Sequence, residues 1–429
     1  MDATKFNEQR HSVLPPGSLA VASFSTIVEW YDFTLYLYFA TVVARVFFGG
    51  GSAALATALG GFALAYLMRP IGAVAFGHIA DRHGRRPMLL LSMALMSLAM
   101  LLTALLPTHA QIGPAAAWLL FGLRCVMGFS VGGEYTGVIT YLLEGADPAR
   151  RGLIASLAAT ASEIGALLAV GVSAVTVAAL SEADLQAWGW RIPFFVGAAL
   201  AGTVWLARRA MEESPDWERL RAAGELRSNP LAHAVSQQWG GVLRAFAISA
   251  LGSITYYVGI TYVPAFLSST GSIDEAAALS LSTIAAVVVI LVTPVVGILS
   301  DRFGRKPALL ALAGLSAILP TAMFSLMAGG STAQALLGAV VLAMVAGGVS
   351  AVGAIATGEQ FSHESRATGL GLGYTVATAL FGGLTPYIAQ RLVAGTGSPS
   401  MPGIMIAVVA VAALPVFALM RETAPRRTP

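Results

Sequence analysis

Apolar stretches long enough to cross a bilayer recur along this chain, and they restrict its fold more than any other feature. A membrane-crossing helix needs about 20 predominantly apolar residues. The first such stretch runs from Ser18 to Phe48 and is interrupted only by Glu29, Asp32 and Arg45. Charged residues make up 11% of the chain, against roughly 25% in soluble domains, which excludes an ordinary soluble protein. Reading apolar runs between glycine, proline and charge clusters predicts twelve segments, at 18–48, 54–79, 88–106, 114–143, 152–180, 190–209, 240–268, 276–300, 308–328, 333–356, 366–393 and 402–420.

Basic residues set the orientation. With both termini in the cytoplasm, Arg82, Arg85, Arg86, Arg150, Arg151, Arg208, Arg209, Arg219, Arg221, Arg227, Arg302, Arg305 and Lys306 fall on the inner side. Lys5, Arg10, Arg421, Arg426 and Arg427 join them, while the loop near 181–187 carries Glu182 and Asp184. This asymmetry follows the positive-inside rule and demands an even number of spans. The net charge of +3 therefore implies no nucleic-acid partner. The polar start, with Asp2 and Glu8, is a poor signal peptide, so insertion without cleavage is expected. Cys125 is the only cysteine and forms no intrachain disulfide.

The chain is also an internal repeat. Gly77, Asp81, Arg82, Gly84, Arg85, Arg86 and Pro87 recur 220 positions on as Gly297, Asp301, Arg302, Gly304, Arg305, Lys306 and Pro307. Glu144 and Arg151 recur 215 positions on as Glu359 and Arg366. Two six-helix units running the same way through the membrane are expected. The predicted division is a cytoplasmic N-terminus (1–17), a bundle (18–211), a cytoplasmic linker (212–238), a second bundle (239–421) and a tail (422–429).

The doubled G-x-x-x-D-R-x-G-R-R/K loop is similar to the signature loop of the major facilitator superfamily. A basic anchoring loop explains the arginines but not the fixed glycine and aspartate. Val28–Phe33, Met68–Ala73, Met127–Gly137, Trp188–Phe195, Thr255–Pro264 and Phe381–Pro386 resemble its metabolite:proton symporter family. The resemblance implies an all-α membrane protein of twelve transmembrane helices in two six-helix bundles. It also implies a multi-pass transporter of the bacterial inner membrane, moving organic acids, or zwitterions such as proline or betaine, with protons. Met127 stands where many members have glutamine, and Glu163 is an extra acid.

Ionisable residues inside a membrane cost about 2.5–3.5 kcal/mol each on insertion scales and default to functional roles. Glu29 and Asp32 share a helical face, where two close carboxylates resist double ionisation. They are either proton carriers or packing partners of arginines. Arg124 lies roughly 15 Å into the fourth span, too deep for snorkelling, so it pairs with Asp32 or with a substrate carboxylate. Glu134, further along that helix, is a further proton-coupling candidate; Glu163 is a second protonation site or a cation contact, unless it is satisfied by a helix–helix hydrogen bond. Arg69 resembles the family's second-span arginine, a substrate contact, with snorkelling as the competing role. Arg244 and Arg391 sit nearer span ends and are read as snorkelling. Tyr256, Tyr257 and Tyr374 orient substrate or cover a cation, unless they belong to an interfacial belt. Gly77, Asp81, Arg82, Arg85, Glu144 and Arg151, with Gly297, Asp301, Arg302, Arg305, Glu359 and Arg366, are read as the inner gate, Glu144/Arg151 and Glu359/Arg366 being its ion pairs.

Gly128–Gly132 spells G-x-S-x-G, but inside an apolar helix rather than at the strand-to-helix turn a hydrolase needs; helix packing is expected instead. Gly369–Gly373 mimics a nucleotide loop with no preceding strand. No metal-ligand spacing and no Walker motif appears. A non-enzymatic carrier is expected, without cofactor or metal, working as a monomer on a small solute and protons. A broad drug/proton antiporter is disfavoured by the two cavity arginines.

Overall fold

The computed structural model describes residues 14–424 apart from 51–56, 59–60, 62–63, 148–149, 225–235, 264–265, 268–272, 274, 330 and 362–365. The expected N-terminal segment 1–13, the centre of the linker and the last five residues of the tail lie outside the described residues. The elements that position the site are helices: α1 (Pro16–Tyr38), α2 (Ala40–Phe48), α3 (Met68–His83), α4 (Arg85–Leu105), α5 (Ala115–Gly145), α6 (Arg151–Ala179), α7 (Arg191–Arg208), α8 (Pro215–Ala222), α9 (Trp239–Tyr256), α10 (Glu275–Phe303), α11 (Arg305–Ala328), α12 (Thr332–Ala356), α13 (Arg366–Thr378), α14 (Thr385–Thr396) and α15 (Met401–Leu419).

Among the described residues, each of the twelve predicted segments contains helix. Among the described residues eight helices are long and apolar enough to span a membrane. A ninth span appears if the bent pair Glu182–Gly189 and Arg191–Arg208 counts as one. The other three predicted segments are the first, the second and the eleventh. The first is broken between α1 and α2 and holds three charges. In the second the described helix α3 covers only Met68–His83, and the eleventh is split by a π-turn at Ala379–Gly383. The protein is an all-α membrane protein.

Glycine decides how closely the helices of the first half approach. A Cβ at Gly132 would lie 2.1 Å from the Arg69 carbonyl oxygen, and one at Gly72 would lie 1.8 Å from that of Phe129. Only glycine lets the α3 and α5 backbones touch in this way, and their contact carries Arg69 and Arg124 to one chamber. The G-x-S-x-G of α5 is thus a packing seam. The signature glycines act between the halves: a Cβ at Gly77 would lie 2.7 Å from Thr368 Cα, and one at Gly297 would lie 2.5 Å from Ser156 Oγ.

Candidate functional site

Two ion pairs mark the centre of the first half. Arg124 Nη1 donates to both carboxylate oxygens of Asp32, at 3.1 and 2.9 Å, while its guanidinium lies 5.6 Å from the centre of the Tyr36 ring. Arg69 Nη1 lies 3.9 Å from Glu29 Oε1 and donates to Tyr66 Oη at 3.3 Å. The Arg69 guanidinium rests over the Tyr66 ring at 4.3 Å and faces Phe33 at 5.0 Å. All four charged residues are buried. Glu29 Oε2 has no hydrogen-bond partner among the described residues.

Both arginines line one small chamber of about 30 Å³, together with Asp32, Phe33, Tyr66 and Met127. Methionine at 127 makes that wall apolar where a glutamine would add an amide. A larger chamber of about 70 Å³ lies between the halves, walled by Trp30, Tyr135, Glu163, Tyr256, Tyr257 and Tyr374 with several serines and threonines. Tyr257 and Tyr66 join the halves by a hydroxyl–hydroxyl bond of 2.8 Å. Tyr256 Oη donates to Glu163 Oε2 at 3.2 Å, and Tyr374 stacks on Tyr135 at 4.8 Å between centroids. A π-turn at Tyr257–Thr261 shifts the register of α9 here, and the Tyr257 ring packs against Gly382 of the second π-turn. The three predicted tyrosines and Glu163 therefore meet at one place.

Glu134 stands elsewhere. It is fully buried within the first half, ion-paired with Arg208 and accepting from Ser92. Arg208, at the inner end of the predicted span 190–209, is the partner that sequence reading did not give Glu134. It is 0% exposed and donates to Leu89 O at 2.7 Å, because Glu134 supplies a countercharge at its depth.

At the face where the described residues begin and end, the repeat becomes a set of pseudo-symmetric contacts between the halves. Thr368 donates its N–H and its hydroxyl to Asp81 Oδ2, at 3.1 and 2.7 Å, so an aspartate of the first half caps α13 of the second. Reciprocally, Gly152 and Leu153 donate their N–H groups to Asp301 at 2.9 and 3.0 Å, capping α6. Arg85 clamps Glu144 at 3.0 and 2.8 Å and bonds Asp81 at 2.8 Å. Arg305 repeats this with Glu359 at 3.4 Å and Asp301 at 2.7 Å. Arg366 crosses between the halves, 3.5 Å from Glu144 and 3.8 Å from Asp216 of α8. Arg151 opens α6, and Arg82 and Arg302 are exposed beside the loops.

Sequence reading missed Tyr66, Thr368, Asp216, Glu213 and Glu422. Tyr66 sits one turn before Arg69, a signal available from spacing alone. Glu213 and Glu422 follow the last span of each half in a repeated pattern, Met211-x-Glu213-Ser214 and Met420-x-Glu422-Thr423. Glu213 accepts from the N–H groups of Arg85 and Arg86, and Glu422 from those of Arg305 and Lys306. Burial pushes the Glu213 carboxyl up. Glu422 is less buried, and backbone N–H donors overcome that penalty and hold it below the usual carboxylate range. Among the described residues no His, Cys, Asp and Glu cluster is arranged to hold a metal.

Comparison with known proteins agrees with this geometry. Residues 19–229 match the family described as sugar (and other) transporter, and residues 245–429 match the major facilitator superfamily. The chain is 36% identical over 376 residues to the α-ketoglutarate permease of Escherichia coli K12, covering 86% of each. It is 30% identical over 423 residues to the proline/betaine transporter of the same strain, covering 95% of this chain and 84% of the other. The citrate-proton symporter of Klebsiella pneumoniae is 29% identical, over 93% of this chain and 90% of its own. Among solved structures, the proton:xylose symporter XylE bound to 6-bromo-6-deoxy-D-glucose superposes with a TM-score of 0.76 at 20% identity, covering 95% of this chain and 96% of the other, a likeness of fold. Taken with the doubled signature loop and the lock it builds, these matches show that the chain belongs to the major facilitator superfamily of membrane transporters.

Proposed function

We propose that this protein is a proton-coupled symporter that imports a small carboxylate-bearing metabolite by alternating access. One observation carries the reading: the two arginines lining the small chamber are each held by a buried carboxylate. A guanidinium engaged by Asp32 has fewer donors for a solute. When Asp32 takes a proton the bifurcated Nη1 contact loosens, and Arg124 turns its fork to the solute carboxylate. Arg69 and Glu29 form a looser pair at 3.9 Å, and Glu29 Oε2 accepts a proton without losing a hydrogen bond. Proton and solute therefore bind together, which is the requirement for symport. The named relatives move α-ketoglutarate, citrate and proline or betaine, all solutes with a carboxylate.

In this reading the face with the termini is cytoplasmic, since the basic loops lie there, and the membrane is a bacterial inner membrane. The locked signature loops close the inner side, and rocking of the halves about the tyrosine contacts exchanges the open side. The carrier works as a monomer. The test is solute-driven acidification of proteoliposomes loaded with a pH dye, across citrate, α-ketoglutarate, shikimate, proline and glycine betaine. Acidification with one solute, lost in Asp32→Asn, is the expected result. Silence across the panel, with no thermal stabilisation by any member, refutes the reading.

A further inference from the structure

We infer that Glu163 is a proton-gated switch on the approach of the two halves: its carboxyl must carry a proton for them to close over the chamber between them. This deepens the alternating-access reading above and rests on it. Asp32, Glu29 and Glu134 are buried acids that each stand beside an arginine. Glu163 is buried as they are, yet among the described residues no Lys, Arg or His is ion-paired with it. Its Oε2 accepts instead from the Tyr256 hydroxyl of the other half, at 3.2 Å. A carboxylate buried without a countercharge is costly to ionise, and it takes a proton instead.

The surroundings offer no other relief. Glu163 shares the chamber of about 70 Å³ with Trp30, Tyr135, Ser249, Tyr257 and Tyr374, and no lining residue is basic. Trp30 Nε1 and Ser249 Oγ are buried donors of lining residues with no hydrogen-bond partner among the described residues, so neither serves the carboxylate. Of the helices packed against α6, α1 carries Glu29 and Asp32, and α5 carries Arg124, Glu134 and Glu144, all held in the ion pairs described above. α12 carries no charged residue, while α7 has Arg191 and Arg208, and α10 has Glu275, Asp301 and Arg302, at their ends. Parting the halves breaks the Tyr256 contact and admits water, which supports the ionised form. Closing them removes that water and restores the proton, with or without solute aboard. The proton thus travels in both the loaded and the empty step, and Glu163 adds nothing to the net proton flow through Asp32.

The experiment follows spin-label distances in the solute-free protein in liposomes, in the Cys125→Ser background, from about pH 5.5 to about pH 8.5. Labels at His83→Cys and Phe303→Cys report the signature-loop face. Labels at Ala187→Cys and Ala333→Cys, both exposed, report the opposite face, toward which α6 and α11 run. The wild-type ratio of open to closed molecules is expected to rise with pH at one face, by up to about tenfold per pH unit, the limit for a single proton. Glu163→Gln, fixed in the neutral form, holds the acid-pH ratio at every pH, and Glu163→Asp keeps the pH dependence. A wild-type ratio flat in pH overturns the inference, as does a pH dependence that survives Glu163→Gln. In the five-solute acidification assay Glu163→Gln still acidifies where Asp32→Asn does not; loss of acidification makes Glu163 a coupling acid and overturns the gating role. No solute enters the distance measurement, so silence across the solute panel refutes symport while the switch stands or falls on the distances.

Discussion

Replacing Thr368 by valine tests the lock at the terminus-bearing face. The Thr368 hydroxyl donates to Asp81 Oδ2 at 2.7 Å, and both residues are buried. Valine keeps the shape beside Gly77 and the backbone N–H bond at 3.1 Å, so the loss is confined to one charge-assisted hydrogen bond. Bonds to charged groups contribute about 1.5–3 kcal/mol. The bond joins the two halves, so its loss falls on the closed arrangement and not on the fold of either half. At 1.4 kcal/mol per factor of ten, the ratio of open to closed molecules rises about 10- to 150-fold. Cys125→Ser frees the chain of its native thiol, and spin labels at His83→Cys and Phe303→Cys report the separation of the two signature loops, since both positions are exposed on that face. Thr375→Val is the control, because its hydroxyl bonds Gly371 O within the same helix. A change in the open-to-closed ratio below threefold, or an equal change in the control, refutes the assignment of Asp81–Thr368 as a latch.

Asp32→Asn imitates the protonated acid, so solute exchange across the membrane persists in counterflow while solute-driven acidification disappears. Arg208→Ala strands Glu134 in a dry site, and removing one partner of a buried pair costs about 3–5 kcal/mol, seen as lost thermal stability or lost membrane insertion; Arg208 and Glu134 replaced together recover part of it. Gly72→Ala drives a Cβ onto the Phe129 carbonyl and lowers the yield of folded protein, while Gly122→Ala, in open space, leaves it unchanged. Glu422 lies below the usual carboxylate range, so its hold on Arg305 and Lys306 persists as pH falls to that lowered value and is lost beneath it. Glu422→Gln weakens the hold already at neutral pH, read as faster hydrogen exchange at those two amides.

The spans were legible because lipid imposes one length and one composition on any helix that crosses it. The repeat was legible because the signature loop keeps its glycine, aspartate and arginines in both halves. What escaped was partnership. Glu144 and Arg151 recur together in sequence, yet the structure joins Glu144 to Arg85 and Arg366, since the signature loop of the same half folds over it. Arg208 sits beside Arg209 at the inner end of its span and reads as one of the basic residues that set orientation, and only three-dimensional packing shows Glu134 beside it. Glu163 was visible as an unexplained acid, but its neighbour Tyr256 lies 93 residues away on another half. Spacing finds neighbours on one helix and is blind to neighbours on two.

The duplication also explains why the lock and the centre obey different rules. The lock needs the same chemistry from each half, an aspartate capping a helix of the other and an arginine clamping a glutamate of its own, so both copies keep it. A solute site built with that symmetry would place equal charges on both walls, where like charges oppose one another and a small solute meets no preferred orientation. Here Glu29, Asp32, Arg69, Arg124 and Glu163 all belong to the first half, while the second faces them with Tyr256, Tyr257 and Tyr374. In the proposed symport, charge exchange between proton and solute is completed within that one half. The other half reads the outcome through hydroxyl and ring contacts, Tyr66–Tyr257 and Tyr256–Glu163, which are weak enough to break each time the halves part.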